Sequence, residues 1–226
     1  QVGIGNADRT SGIISDVILL EIGEARGHRM FISKRSLGMA HEQLGESLPA
    51  YISHAGAFED RLLNEIGVFT DFYVDGDKLR ARTFTVFPSF MNDEPERYAR
   101  LFDLAEMAPS TFGLSIVFSG DVAWETESGD VGFNGKLADK PDDALYELPS
   151  IFPSNIASAD FVDTPAATSA LFSTGPNRDK QPISKGSDNL MSDKIKFDGD
   201  SGSYFYITSG SYIQPYEQID PLYYYY

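Results

Sequence analysis

Residues 112–120, FGLSIVFSG, place a single hydroxyl, that of Ser115, in the middle of an apolar run of β-branched and aromatic residues. Pro109 precedes this run and Gly120-Asp121 closes it, so the pattern predicts a buried or half-buried strand rather than a helix. A buried hydroxyl costs free energy unless a partner hydrogen-bonds it. Ser115 is therefore a candidate functional residue, and its partners must come from other segments.

Two other segments supply possible partners for Ser115. Residues 51–54 (YISH) predict a strand with His54 at its end, and residues 158–166 (SADFVDTPA) carry Asp160. A serine hydroxyl is a poor nucleophile at pH 7 without a general base, and histidine is the usual base because its pKa lies near that pH. The combination indicates a serine hydrolase. Composition and pattern leave the structural alternative open, in which both residues only stabilise the fold.

The choice of base is limited because the chain has three histidines. His28 stands at the start of a predicted strand beside charged neighbours, which is typical of a surface or edge residue. His41 lies in a polar helical stretch and is expected to be solvated. His54 is therefore the best candidate for the base.

Composition limits the classes of function. The 226 residues suit one domain with extensions, and the net charge of −16 argues against a nucleic-acid partner, because phosphate binding needs clustered Lys and Arg. The absence of cysteine rules out disulfides and thiolate metal sites and fits a reducing compartment. No segment approaches the roughly 20 apolar residues of a membrane span, and residues 1–16 lack a signal peptide's pattern, so a soluble protein without a membrane partner is expected.

The chain divides into three parts. Residues 1–12 are rich in Gly and small polar residues and predict a flexible N-terminal arm. Residues 13–172 carry the periodic apolar pattern of a folded domain. Residues 173–226 are dominated first by small polar residues and then by tyrosine, which is typical of a low-complexity extension.

Within the domain the pattern predicts a mixed α+β fold, a mostly antiparallel, partly closed β-barrel with a few packed helices. The clearest element is a hairpin of residues 65–74 and 78–87 around Asp75-Gly76-Asp77, with Arg80 on its solvated face. An amphipathic helix is expected from Asp93 to Met107, capped by Asn92 or Asp93. The other predicted elements are a hairpin of residues 13–22 and 27–33, a helix within 34–46, and strands at 48–54, 122–126 and 155–162.

Four motifs in order give the chain a family resemblance. They are His54 at a strand end, EIGVF at 65–69 leading to DKLRA at 77–81, the FGLSIVF strand at 112–118, and ADFVDTPAA at 159–167. In order and approximate spacing, over residues 13–172, they resemble the prohead (capsid maturation) proteases of tailed bacteriophages, whose fold is similar to that of herpesvirus assembly proteases. No single motif is decisive, and the specificity lies in their combination.

The resemblance implies a catalytic triad and no cofactor. It assigns the nucleophile to Ser115 and the base to His54. The third role, orienting the base, belongs to an acidic residue or, in the herpesvirus relatives, to a second histidine. Many relatives carry Glu at the position of Ser158, so the sequence departs from the pattern there. Strand alternation puts residues 158 and 160 on one face about 7 Å apart, which makes Asp160 the candidate third member. The alternative for Asp160 is a solvent-facing or turn-capping carboxylate.

The resemblance also implies a biological setting. It predicts a serine endopeptidase that cleaves scaffold or major capsid proteins, and itself, inside the assembling prohead in the host cytoplasm. It implies a homodimer as well. One alternative is a catalytically silent capsid or scaffold-associated protein that keeps the protease fold, and another is an unrelated β-rich binding module.

Overall fold

The computed structural model describes residues 6–26, 28–52, 64–132, 137–163, 165 and 167–172, and the backbone of 204–206. The strands are β1 (Asn6–Asp8), β2 (Ile13–Glu21), β3 (Gly23–Ala25), β4 (Met30–Ile32), β5 (Ser47–Ile52), β6 (Glu65–Asp75), β7 (Lys78–Val86), β8 (Gly113–Ala123), β9 (Ser150–Val162) and β10 (Tyr204–Tyr206). The helices are α1 (Lys34–Gln43), α2 (Pro88–Asp93) and α3 (Pro95–Met107). No helix in these ranges is long and apolar enough to cross a membrane.

The strands form one large, mostly antiparallel sheet in the order β1-β2-β7-β6-β5-β9-β4-β3. Strand β9 is its branch point, since it pairs in parallel with β5 and β4 and antiparallel with β8, which in turn pairs with β10. The predicted mixed α+β class with a mostly antiparallel sheet is confirmed. Closure into a barrel is not confirmed, because β2 and β8 share no strand pairing within the described residues.

Residues 167–172, called the strap here, lie against the unpaired side of β2. The Ile18 N–H donates to the Leu171 carbonyl at 3.0 Å, and the Glu21 N–H donates to the Ala167 carbonyl at 2.9 Å. The Leu171 N–H donates to the carbonyl of Pro109, in the loop before β8, also at 2.9 Å. The strap therefore satisfies backbone groups of β2 that no strand pairs.

The hairpin of β6 and β7 forms as predicted, with Asp75 opposite Lys78 and Gly76 at a φ of 63°. This positive φ is available to glycine at little cost, which explains why Asp-Gly makes the turn. The predicted solvent exposure of Arg80 is wrong, because the side chain is 1 % exposed. Its Nη1 donates to the Asp16 carbonyl at 3.0 Å and its Nε lies 3.4 Å from an Asp75 carboxylate oxygen.

The predicted helix within residues 34–46 and the predicted amphipathic helix ending at Met107 are both confirmed. Helix α1 buries Leu37 and Ala40 and begins at a capping box in which the Ser33 hydroxyl accepts the Ser36 N–H at 3.0 Å. Helix α3 buries the four residues predicted from its spacing, Tyr98, Leu101, Phe102 and Ala105. The predicted cap at Asn92 or Asp93 is wrong, because those residues end α2 and Glu94 stands at the N-cap of α3.

Three strand predictions need correction. The predicted hairpin of residues 13–22 and 27–33 does not form, because β2 pairs with β1 and β7 while β4 pairs with β3. Local pattern cannot distinguish these pairings, since burial of residues 17–20 on both faces of β2 requires neighbours distant in sequence. Residues 122–123 belong to β8 rather than to a separate strand, and β9 begins at residue 150 rather than 155.

Part of the predicted N-terminal arm is folded. Strand β1 pairs with β2 over Asn6–Asp8, and the Tyr98 hydroxyl of α3 donates to the Arg9 carbonyl. The Arg9 guanidinium also forms an ion pair with Asp103, 2.5 Å between nitrogen and oxygen. Residues 6–9 therefore lie against the body of the domain instead of forming a loose arm.

Candidate functional site

Ser115 and Asp160 lie directly opposite each other in the antiparallel pair of β8 and β9. The register is fixed on both sides by Leu114 opposite Phe161 and Ile116 opposite Ala159. Side chains of directly opposed residues share a face, with Cβ atoms about 5 Å apart. The structure thus brings together two of the three residues predicted for the site, from segments more than 40 positions apart.

Hydrophobic packing fixes which way this pair faces. Leu114, Ile116 and Phe161 belong to the buried hydrophobic core, and side chains alternate between the faces of a strand. Ser115 and Asp160 therefore lie on the face opposite that core, yet they are only 0 % and 2 % exposed. A hydroxyl and a carboxyl group thus share a site that excludes water, where electrostatic interactions between them are strengthened.

Tyr51 extends this arrangement onto a third strand. Strand β5 runs parallel to β9 with Tyr51 opposite Asp160, so Tyr51, Asp160 and Ser115 form one row across three strands, called the polar row here. Tyr51 is 3 % exposed and lies outside the hydrophobic core cluster, unlike its neighbour Ala50. Tyr51 was not predicted as a member of the site, because local sequence pattern does not give the β5–β9 register.

Ser158 occupies the position where the family resemblance leads one to expect glutamate. It pairs with Val117, one step along the same face from the Ser115–Asp160 pair, and is 0 % exposed. Its hydroxyl oxygen is buried without a hydrogen-bond partner in the described part of the chain. The predicted common face of residues 158 and 160 agrees with this register, and the carboxyl group on that face belongs to Asp160.

The structure describes two of the three histidines, His28 and His41. His54 lies outside the described residues, which resume at residue 64 after β5 ends at Ile52. A surface position for His28 is wrong, because the residue is 7 % exposed in the turn between β3 and β4, where its backbone N–H donates to the Ala25 carbonyl. His41 is exposed on α1 as predicted.

The loop after β9 and the strap pack against the beginning of β8. A Cβ atom added at Gly113 would lie 2.8 Å from Thr168 Oγ1 and 2.9 Å from Pro165 Cγ, so only glycine fits there without movement. The Thr168 hydroxyl donates to the Leu114 carbonyl at 3.4 Å. Pro165 and Thr168 therefore contact β8 immediately before Ser115.

Within the described ranges, no group of three or more His, Asp or Glu side chains could hold a metal ion.

No family model matches this chain, and no curated protein or solved structure matches it either.

Proposed function

We propose that this chain is a serine endopeptidase of the phage prohead protease kind. Its substrates are extensions of scaffold and major capsid proteins, and its own chain, within the assembling head in the host cytoplasm. The observation that carries this proposal is the register that sets Ser115 directly opposite Asp160 in a buried site. A nucleophile and a carboxylate on neighbouring strands are two of the three groups that a catalytic triad requires.

His54 supplies the third group. It follows Ile52 by two residues, so the covalent chain keeps their Cα atoms within about 7 Å of each other. Ile52 is the last residue of β5 and lies opposite Phe161, next to Asp160. The chain segment that carries the proposed base therefore leaves the sheet beside the polar row.

The three groups account for peptide hydrolysis. His54 takes the proton from the Ser115 hydroxyl as its oxygen attacks the scissile carbonyl, and His54 then gives that proton to the leaving amine. Asp160 orients the imidazole and stabilises its positive charge. Backbone N–H groups bind the oxyanion, and water, deprotonated by His54, hydrolyses the acyl-enzyme.

We also propose that the sheet is a partly closed barrel. Residues of β2 and β8 approach within 8 Å between Cα atoms without pairing, and the strap bonds to β2 on one side and to the Leu114 carbonyl on the other. These contacts of the strap with both strands support the proposal of a partly closed barrel, the form that the resemblance to herpesvirus assembly proteases implies. A homodimer is proposed on the resemblance alone.

The second candidate is a silent structural protein that retains this fold in the capsid or scaffold. The observation favouring it is Ser158, whose small buried hydroxyl stands where many relatives carry the triad glutamate. In a silent protein of this kind, Asp160 only stabilises the fold.

The test is cleavage of a co-expressed scaffold protein, together with labelling of the purified chain by a fluorophosphonate probe. Ser115→Ala is expected to abolish both, whereas Ser119→Ala, a matched serine substitution on the same strand, retains both. Circular dichroism and thermal unfolding check that each variant is folded. Unchanged scaffold cleavage by Ser115→Ala would refute the proposed nucleophile, and the absence of cleavage and labelling in the unsubstituted chain favours the silent protein.

A further inference from the structure

Strand β8, which carries Ser115, has one side that β9 does not occupy. On that side β10 pairs antiparallel with Val117–Ser119, with Tyr206 opposite Val117 and Tyr204 opposite Ser119. Strand β8 itself runs from Gly113 to Ala123, so β10 covers only a short part of it. The segment that supplies this pairing comes from the tyrosine-rich tail, far along the chain from the rest of the sheet.

An edge strand presents a row of backbone N–H and C=O groups that can pair with another extended chain. Recognition by addition of a strand takes its affinity from these backbone groups, so it accepts many sequences. The Leu114 carbonyl accepts the Thr168 hydroxyl, and β10 pairs with this edge from Val117 onward. Ser115 lies between these two contacts.

We propose that the outer edge of β8 is a binding site for an extended polypeptide strand, and that Tyr204–Tyr206 occupies it within the same chain. An incoming peptide binds in the place of β10, antiparallel to β8. In the register of β10, the residue two positions after the one opposite Val117 lies across from Ser115. This proposal deepens the proposed function and rests on it where the peptide is identified as the substrate.

The tail then acts as an internal competitor. A segment of the same chain competes at an effective concentration on the order of millimolar, which exceeds that of most separate peptides. The apparent affinity for a peptide that binds the free edge is therefore reduced, because only the molecules in which the tail has left this edge can bind it. Displacement of β10 opens the edge beside Ser115.

The test uses the full chain carrying Ser115→Ala, so that binding is measured without turnover. Three further substitutions, Tyr204→Pro, Phe205→Pro and Tyr206→Pro, remove every backbone donor of β10. The matched control places three prolines elsewhere in the tail, at Ser192, Asp193 and Lys194. The probe is a fluorescein-labelled peptide with the sequence of residues 201–209, and its binding is followed by fluorescence anisotropy.

The chain with prolines in β10 is expected to bind the probe at least tenfold more tightly than the control. Hydrogen exchange should be faster in that variant at those amides among residues 117–119 that face β10, and slow again when the probe is added. Equal affinity for the two chains, or no binding to either, overturns the proposal. Because Ser115 is replaced in every sample, failure of the protease proposal leaves this result unaffected, and binding without cleavage in the Ser115-containing chain refutes only the enzymatic role.

Discussion

Asp160 lies directly opposite Ser115 across the β8–β9 pair, and its side chain is 2 % exposed. If Asp160 orients the base, Asp160→Asn should keep the size of the side chain and lower the rate of fluorophosphonate labelling at Ser115 by a factor of about 10² to 10⁴. The control is Asp163→Asn, since Asp163 is exposed just beyond the end of β9. A labelling rate unchanged by Asp160→Asn, in a variant shown to be folded, removes Asp160 from the triad.

Gly67 in β6 is expected to tolerate no side chain. A Cβ atom there would overlap the Thr85 carbonyl oxygen of β7 and crowd the Phe84 ring. Gly67→Ala should therefore lower the free energy of unfolding by about 1–3 kcal/mol, measured by urea denaturation.

The matched control for Gly67 is Gly38, in α1, where an added Cβ atom meets nothing within 4 Å. Gly38→Ala should raise the free energy of unfolding by about 0.5–1 kcal/mol, because alanine loses less backbone entropy in a helix. Equal destabilisation by the two substitutions would contradict the close approach of β6 and β7 at Gly67.

The strap is expected to depend on Glu21. One carboxylate oxygen of Glu21 accepts the Ser169 N–H at 3.1 Å and the Ser169 hydroxyl at 2.8 Å, and the other lies 3.0 Å from Lys78 Nζ. Glu21→Ala should lower stability by about 1 kcal/mol, since these bonds are partly exposed to water. It should also speed hydrogen exchange at the Ile18 amide, which donates to the strap.

Glu24→Ala is the control for the strap, because Glu24 is an exposed glutamate on β3, which follows β2 in the sequence but lies at the other end of the sheet. Nuclear magnetic resonance resolves exchange at individual amides. Ile18 exchanging at the same rate in both variants would show that Glu21 does not hold the strap.

Tyr73 is expected to make stability depend on alkaline pH. Burial, together with the hydrogen bond that its hydroxyl donates to Asp16 at 2.8 Å, raises the pKa of Tyr73 above its ordinary value near 10. The raised pKa favours the neutral phenol in the folded state. Its stabilising effect is therefore complete below pH 10 and declines as the pH rises from 10 through the folded-state pKa.

Urea denaturation of the wild type and Tyr73→Phe between pH 8 and 11.5 tests this dependence. The phenylalanine variant lacks the titration, so the stability advantage of the wild type should shrink above pH 10. The other tyrosines titrate in both proteins, so their contributions to the pH dependence of stability cancel when the two are compared. A difference that stays constant, or grows, over this range is incompatible with a raised Tyr73 pKa.

Elements whose signals are local were predictable from sequence. Asp75-Gly76-Asp77 marks the turn between β6 and β7 because the glycine tolerates a positive φ, and the spacing of Tyr98, Leu101, Phe102 and Ala105 follows one face of a helix. The apolar run around Ser115 likewise forms β8. Each of these depends on residues within a few positions of one another.

The partners of these elements were not predictable in the same way. Local pattern favoured pairing β2 with the strand that follows it, yet β2 lies beside β7, and Arg80, whose position suggested a solvated face, is buried where it reaches the Asp16 carbonyl. Tyr51 joined the site only through the parallel register of β5 and β9. Such pairings depend on burial contributed by segments distant in sequence.

The sequence by itself determined which residues could do chemistry, a hydroxyl in an apolar strand and a carboxyl group on another, and it determined the local elements that carry them. Only the tertiary structure decided that Ser115 faces Asp160 and that the far edge of β8 is paired by Tyr204–Tyr206. The physical reason is that side chains along a strand point alternately to its two faces, so their direction repeats every two residues. A shift of one position would move each side chain to the opposite face, and only packing of the whole sheet selects between the two.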